Sequence, residues 1–521
     1  MSRSPIVGTL AQLWKLSLVI PLVMPVALLA AGCSSRKDER PDVILLVLDT
    51  WRPDQLATFG AATDHTPALT RELEGARRFQ AAQSTCSWTA PALISLVSSL
   101  PTTAHGVQGA PHPGRLADEV QTLPELLREA GWRTAAFTEG GYAKGEFGLD
   151  QGFELFPPFA DDSHETHSIQ GHESRIRANV DRSLNWLAEQ GDQPLLFLFH
   201  TYQVHTPYRA DEAHVRELLP EFRDAQEEAE LERIVAHWNR ERSMTREDWL
   251  RLQQRRLRTG RIPPVEAPLE LIAYWRERGL GPQEVLQTPE LIAHARALYA
   301  ACLRHADREL ERLFAGLRQR EQQSGRPQVL LVVSDHGEGL GDHGELEHGT
   351  SLYQSLTRIV LALRAPGVAA GDEPQPVSLL DAAPTVLRLC GLHQLPESFQ
   401  GGDLLQPAAE RALHSHGMTV AREADVRFAV RRGRWHLIFD TATQRSELYD
   451  LAADPGELRD RAAEEPRVLA ALLEELRREE GRNRELHARY GAATAGRTLD
   501  ERTRRELKGL GYIGEEAPSS R

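Results

Sequence analysis

Residues 329–348 read VLLVVSDHGEGLGDHGELEH. Five apolar residues, rich in β-branched types, open the stretch. A run this short and continuous predicts a strand buried on both faces, as in a parallel sheet. Ser334, Asp335, His336 and Gly337 follow at once. Ligands in open α/β sheets collect at the carboxyl ends of strands. A carboxylate beside an imidazole at such a position can share one divalent cation. Gly337, Gly339, Gly341 and Gly344 let the backbone bend around whatever is bound. His343, Glu345 and His348 crowd the same loop. The plainer alternative is a polar turn whose aspartate caps a helix.

Other segments supply comparable endings. Residues 41–48, PDVILLVL, form a second buried-strand signal and run into Asp49, a natural second ligand at a strand tip. Thr66-Pro67 has the form of a helix start and predicts a helix over 68–77. In residues 84–97, STCSWTAPALISLV, Pro91 fits a first helical turn. Thr89 then stands at a helix N-terminus, where free N–H groups and the dipole favour an anion. Its hydroxyl is either a simple cap or a nucleophile. Residues 195–199 and 359–363 predict further buried strands, and a helix capped by Asp381 is expected to run to residue 392. After Pro396 the pattern alternates. Residues 427–431 and 434–439 predict antiparallel strands, and residues 466–490 a charged helix. The fold class is α/β, with a smaller α+β unit at the end.

At 521 residues the chain is too long for one ordinary domain. Its net charge of −14 argues against a general polyanion binder, so no nucleic-acid partner is expected. Arg3 and Lys15 precede an apolar run over 16–32 that contains Pro21 and Pro25. That run is short for a membrane span and reads as a secretory signal. Its end, Leu-Ala-Ala-Gly-Cys33, resembles the bacterial lipobox. The expectation is a signal peptide over 1–32, a lipidated Cys33, and a polar tether to residue 40. The mature protein would sit in the cell envelope, on the outer membrane or periplasmic face. Cys86, Cys302 and Cys390 lack disulfide-framework or zinc-site spacing. Residues 209–290 are dense in Glu, Arg and Gln and predict a helical insertion, either a solvated excursion or a substrate-selecting lid.

Asp49 after an early strand, Thr89-Ala-Pro-Ala-Leu93, His105-Gly106 and Ser334-Asp-His-Gly337 together resemble the sulfatase branch of the alkaline phosphatase superfamily. Supporting matches are residues 148–153 (GLDQGF), 199–208 (FHTYQVHTPY), 348–353 (HGTSLY), 379–385 (LLDAAPT), 447–456 (ELYDLAADPG) and 510–514 (LGYIG). The resemblance implies an alkaline-phosphatase-like, mostly parallel sheet flanked by helices over 41–395. It also implies a C-terminal subdomain with a short antiparallel sheet over 396–521. The chain departs from the sulfatase pattern at several points. Thr89 stands where the family has the cysteine that becomes formylglycine, Leu93 where it has arginine, and Thr50 where it has a second aspartate. No Lys-x-His lies near 140–148, although Lys144 is close.

Formylglycine hydrate releases sulfate by collapsing to an aldehyde, a route closed to threonine. Phosphoryl transfer through a threonine ester, displaced in a second step, suits the residue better. By carry-over from the family, Asp49, Asp335, His336 and Thr89 hold one divalent cation: manganese, magnesium, calcium or zinc. A second ion is conceivable with His205 and His348 as ligands. Thr89 is the nucleophile with a lowered pKa, His205 donates to the substrate or leaving group, and His348 faces the transferred group. The expected substrate is a small-molecule or envelope glycan or lipid ester. Rival readings are an aryl- or carbohydrate-sulfatase without formylglycine, and a silent anion- or glycan-binding lipoprotein.

Overall fold

The computed structural model describes residues 39–491, except 109–113, 160–174, 221–223, most of 260–287, 350 and 419–425. The expected signal, Cys33 and the 510–514 match lie outside the described residues. Everything below concerns the unit that begins at Arg40.

The two apolar runs that open the sequence argument sit at the centre of a seven-stranded sheet. Its strands are β1 (Asp42–Leu48), β2 (Arg77–Gln83), β3 (Arg133–Phe137), β4 (Leu195–Thr201), β5 (Gln328–Val333), β6 (Leu361–Arg364) and β7 (Gly371–Ser378), in the order β3-β4-β1-β5-β6-β2-β7. β1 pairs in parallel with both β4 and β5, Val47 lying opposite His200 on one side and Val333 on the other. Their carboxyl ends therefore finish level, which places Asp49, His200 and Asp335 side by side. Only β6 runs against its neighbours. Every residue of β1, β4 and β5 is buried. Each such Val, Leu or Phe contributes about 1.5–3 kcal/mol of transfer free energy, which is why near-continuous apolar runs mark central strands.

The Pro289–Ser324 and Arg175–Ala188 helices pack on one face of the sheet, and the Thr89–Ser98 and Ala382–Leu389 helices on the other. The lower edge is pinned by Arg320, whose guanidinium donates to Asp42 Oδ2 at 3.0 Å and to the Gln193 carbonyl at 2.8 Å. A second sheet, antiparallel, has the order β11-β10-β9-β8. Its strands are β8 (Ala412–Met418), β9 (Val426–Arg432), β10 (Trp435–Asp440) and β11 (Arg445–Asp450). The Pro466–Tyr490 helix packs against it. No described helix is long and apolar enough to cross a membrane.

Several local expectations are corrected. The helix after Pro67 stops at Glu74, and Arg77 already begins β2. Asp381 is the N-cap residue of the following helix, but its side chain makes no capping hydrogen bond to it. Its carboxylate closes a capping box with Ser378 and holds Gly402 N–H and Arg411. His416 is buried against Phe428. The insertion is no solvated excursion, since Val215, Trp238, Trp249 and Trp275 join the main apolar cluster and the last two rings stack 5.9 Å apart. Cys86, Cys302 and Cys390 are free thiols.

Candidate active site

Four chain segments converge at the top of β1, β4 and β5. Thr89 is the first residue of its helix, and Trp88 is the N-cap. Its hydroxyl does not cap that helix. Thr89 Oγ1 donates to Asp49 Oδ2 at 3.0 Å and lies 3.3 Å from His336 Nε2. Asp49, Asp335 and His336 each present a ligand atom within 4.8 Å of the other two, and all three are buried. The four residues expected around one cation are thus brought together.

Backbone geometry decides which atoms are turned inward. Thr50 takes a left-handed conformation (φ 61°), a costly choice for a β-branched residue. That turn lets Thr50 N–H donate to Asp335 Oδ1, which also accepts from His336 N–H. Asp335 Oδ2 is left without a hydrogen-bond partner among the described residues, and so is Asp49 Oδ1. His336 Nδ1 lies 2.9 Å from the Gly337 carbonyl, so it carries a proton there and Nε2 is the nitrogen that faces the carboxylates. Two orphaned carboxylate oxygens and one imidazole nitrogen, all buried, fit a divalent cation. Unpaired polar atoms in such a place are costly unless something charged meets them.

His205 and His348 stand over this cluster. Their rings are 4.8 Å apart, and the His348 ring is 4.4 Å from that of His336. His348 Nδ1 is 3.0 Å from Glu338 Oε1. Burial, reinforced by the neighbouring histidine, holds both His205 and His348 well below the usual imidazole range, so both rings are neutral at pH 7. His336 differs, because Asp335 and Asp49 outweigh burial and raise it. Burial and Glu347 push Glu338 up to about 8. His343 and Glu345 remain loop residues: the His343 ring stacks on Tyr353 and Glu345 accepts from Ser351. The C-terminal sheet braces this loop, since Tyr353 donates to Glu447 at 2.8 Å.

Sequence reasoning missed His200. It ends the apolar run of β4, is fully buried, and its Nε2 lies 3.5 Å from Asp49 Oδ2. Neither of its ring nitrogens has a hydrogen-bond partner among the described residues. A lone histidine closing an all-apolar strand was the available signal. Arg52 was also missed. Its buried guanidinium ties Asp54 and Asp342 to the carbonyls of Glu338 and Gly339, fixing the glycine loop from below.

Comparison with known proteins agrees with this architecture. A family model described as Sulfatase matches residues 41–392. Arylsulfatase K of Bos taurus is 30% identical over 210 residues, covering 36% of this chain and 37% of the relative. The choline-sulfatase of Rhizobium meliloti (strain 1021) is 28% identical over 185 residues, 34% of this chain and 35% of the relative. The match thus spans little more than a third of these relatives' length. Among solved structures, one in complex with its substrate D-glucosamine-2-N,6-O-disulfate superposes with a TM-score of 0.64 at 19% identity, covering 86% of this chain and 98% of the other. The phosphonate monoester hydrolase of Agrobacterium radiobacter gives 0.63 at 19% identity, covering 85% and 96%. With the family match running from β1 through the helix that follows β7, and the same fold in those solved structures, the chain belongs to the sulfatase family.

Proposed function

We propose that the protein is a metal-dependent hydrolase or transferase acting through Thr89 on phosphate esters, with sulfate esters as the second substrate class. The observation that carries the reading is the Thr89 hydroxyl, 3.0 Å from Asp49 and 3.3 Å from His336, within a buried set of ligand atoms. A divalent cation held by Asp49, Asp335 and His336 would supply charge neutralisation for a substrate oxygen and ease ionisation of a nearby hydroxyl. Asp49 accepts the Thr89 proton as Thr89 Oγ1 attacks phosphorus, the bond from phosphorus to the ester oxygen breaks, and that oxygen leaves with a proton drawn from solvent. Neutral His348, whose Nδ1 faces the Glu338 carboxyl, can donate Nε2–H to a non-bridging oxygen or to the leaving oxygen, whereas His205 holds its one N–H on the Thr206 carbonyl and donates from Nε2 only once that nitrogen has taken up a proton. In the second step water or another alcohol attacks phosphorus and loses its proton to solvent, the bond from phosphorus to Thr89 Oγ1 breaks, and Asp49 returns its proton to Thr89. The phosphoryl preference rests on chemistry: a threonine ester has no aldehyde into which to collapse, and direct displacement at phosphorus is open to it.

The names of the curated relatives favour a second reading, an aryl- or carbohydrate-sulfatase working without formylglycine. Metal-loaded protein incubated with p-nitrophenyl phosphodiester, monoester and sulfate separates the two. Phosphoester turnover with a mass-shifted Thr89 peptide is expected, both abolished in Thr89→Ala. Turnover of the sulfate alone establishes the second reading. We propose further that the protein is an envelope lipoprotein anchored through Cys33, acting on a small-molecule or envelope glycan or lipid ester. Palmitate labelling lost in Cys33→Ala, with release from the membrane fraction, is the expected result.

A further inference from the structure

A second cluster of metal-ligating side chains stands apart from the Thr89 site, where the insertion begins. Asp211 is the N-cap of the Glu212–Leu218 helix, and His214 lies one turn into it. Residues three apart at the start of a helix share a face. His305, on the Pro289–Ser324 helix, comes to meet them. One ligand atom from each of Asp211, His214 and His305 lies within 4.8 Å of the other two. Asp211 Oδ1 is 3.4 Å from His305 Nδ1, and the two imidazole rings are 5.7 Å apart. His305 is buried, while Asp211 and His214 are half-buried. His214 Nδ1 is shut off from solvent and has no hydrogen-bond partner among the described residues. Leaving such a nitrogen unpaired is unfavourable. Arg177 does not occupy the place. It is anchored on Glu309 at 3.1 Å and approaches only the far oxygen of Asp211, at 3.7 Å.

We infer that Asp211, His214 and His305 bind a divalent transition-metal ion, zinc above all, which pins the first helix of the insertion to the long Pro289–Ser324 helix. Two imidazoles and one carboxylate select zinc, cobalt or nickel over calcium and magnesium. A water on the exposed side completes the coordination. Ligand atoms of tetrahedral zinc lie about 3.3 Å apart, as bond lengths near 2.0–2.1 Å require. The half-buried Asp211 and His214 have the freedom to close that gap. His305 Nδ1 accepts Asp211 N–H at 3.0 Å. An ion at this nitrogen displaces that bond, so binding is weaker than in a closed four-ligand site. The inference does not depend on the chemistry proposed for Thr89.

The test counts cobalt. Full-length protein, stripped with a chelator, is titrated with Co²⁺ and followed by bound-metal analysis and the cobalt d–d bands. His214→Ala and Asp211→Asn, both at half-exposed positions, are expected to bind one equivalent fewer than wild type. Asp49→Asn is expected to keep that equivalent. In Asp49→Asn, zinc at ten times its dissociation constant is expected to slow amide exchange across 212–218 by roughly tenfold, following the mass-action law for ligand binding. Equal stoichiometry in wild type and both cluster variants overturns the inference. So does loss of the equivalent in Asp49→Asn but not in His214→Ala. If His214→Ala loses native circular dichroism, Asp211→Asn and His214→Gln carry the comparison.

Discussion

Replacing Asp49 by asparagine sets stability and metal affinity against each other, and the structure gives the size of the first effect. Asp49, Asp335 and His336 are buried, with ligand atoms within 4.8 Å. Burial and then Asp335 raise the Asp49 carboxyl, whereas His336 helps to hold Asp335 low. One imidazolium thus faces two carboxylates, and the metal-free fold carries an uncompensated buried charge. Two unit charges no more than 4.8 Å apart at an effective dielectric of 20 repel by at least about 3.5 kcal/mol. With His336 offsetting part of this, Asp49→Asn relieves about 2 kcal/mol. At roughly 2.1 cal/mol/K per residue, a chain of this size gains about 1 °C in Tm per kcal/mol. The metal-free variant is therefore expected to melt about 2 °C above wild type at pH 7.5.

The sign with pH follows from the raised pKa. An ionised Asp49 weakens the metal-free fold at neutral pH, and the penalty fades as pH falls through its folded value. The gap between variant and wild type accordingly narrows in acid. With Mn²⁺ or Zn²⁺ the order reverses, because wild type gains a metal-dependent rise in Tm and the variant loses at least about 100-fold in affinity. Scanning calorimetry with EDTA and with each metal measures all of this. A metal-free variant that melts below wild type at pH 7.5, or a full metal-induced shift in the variant, refutes the reasoning.

Thr89→Ala is expected to lower kcat by at least about 10³-fold, as for other nucleophile deletions, while Thr89→Ser keeps measurable turnover and a serine adduct by mass spectrometry. His205→Gln and His348→Gln are each expected to lower kcat by about 10²–10⁴-fold, with a smaller loss on substrates whose leaving group needs no proton. A leaving-group series reads the difference, and equal losses across it remove the two rings from that role. Arg320→Ala strands the buried Asp42 carboxylate and is expected to cost about 3–5 kcal/mol, lowering Tm by several degrees with KM unchanged. Tyr353→Phe breaks the bond to Glu447 and is expected to cost about 1 kcal/mol, read as increased amide exchange in the 343–357 loop.

The central strands and their tips were legible because β1, β4 and β5 are buried on both faces and so are apolar along their middles, with polar residues only at their ends. Asp49, Asp335 and His336 could be read for the same reason: polarity resumes abruptly where each strand ends. β7 was not legible. Its sequence, GDEPQPVS, holds two prolines and looks like a loop, yet it pairs in parallel with β2 at the sheet edge, where lost N–H donors are tolerated. β2, RRFQAAQ, was not predicted, and the preceding helix was carried on to Arg77, because pattern alone does not mark the break at Gly75. The reversed direction of β6 depends on its partners and leaves no local trace. His200 escaped notice because the residues around it announced only a strand.

The pairing of Asp42 with Gln328 has a consequence for biogenesis. β1 emerges first from the ribosome or translocon, but its neighbour β5 arrives only after most of the chain has followed. No truncated nascent polypeptide can bring Asp49 beside Asp335 and His336. If the proposed cation binds there, its loading waits for the compartment in which folding finishes.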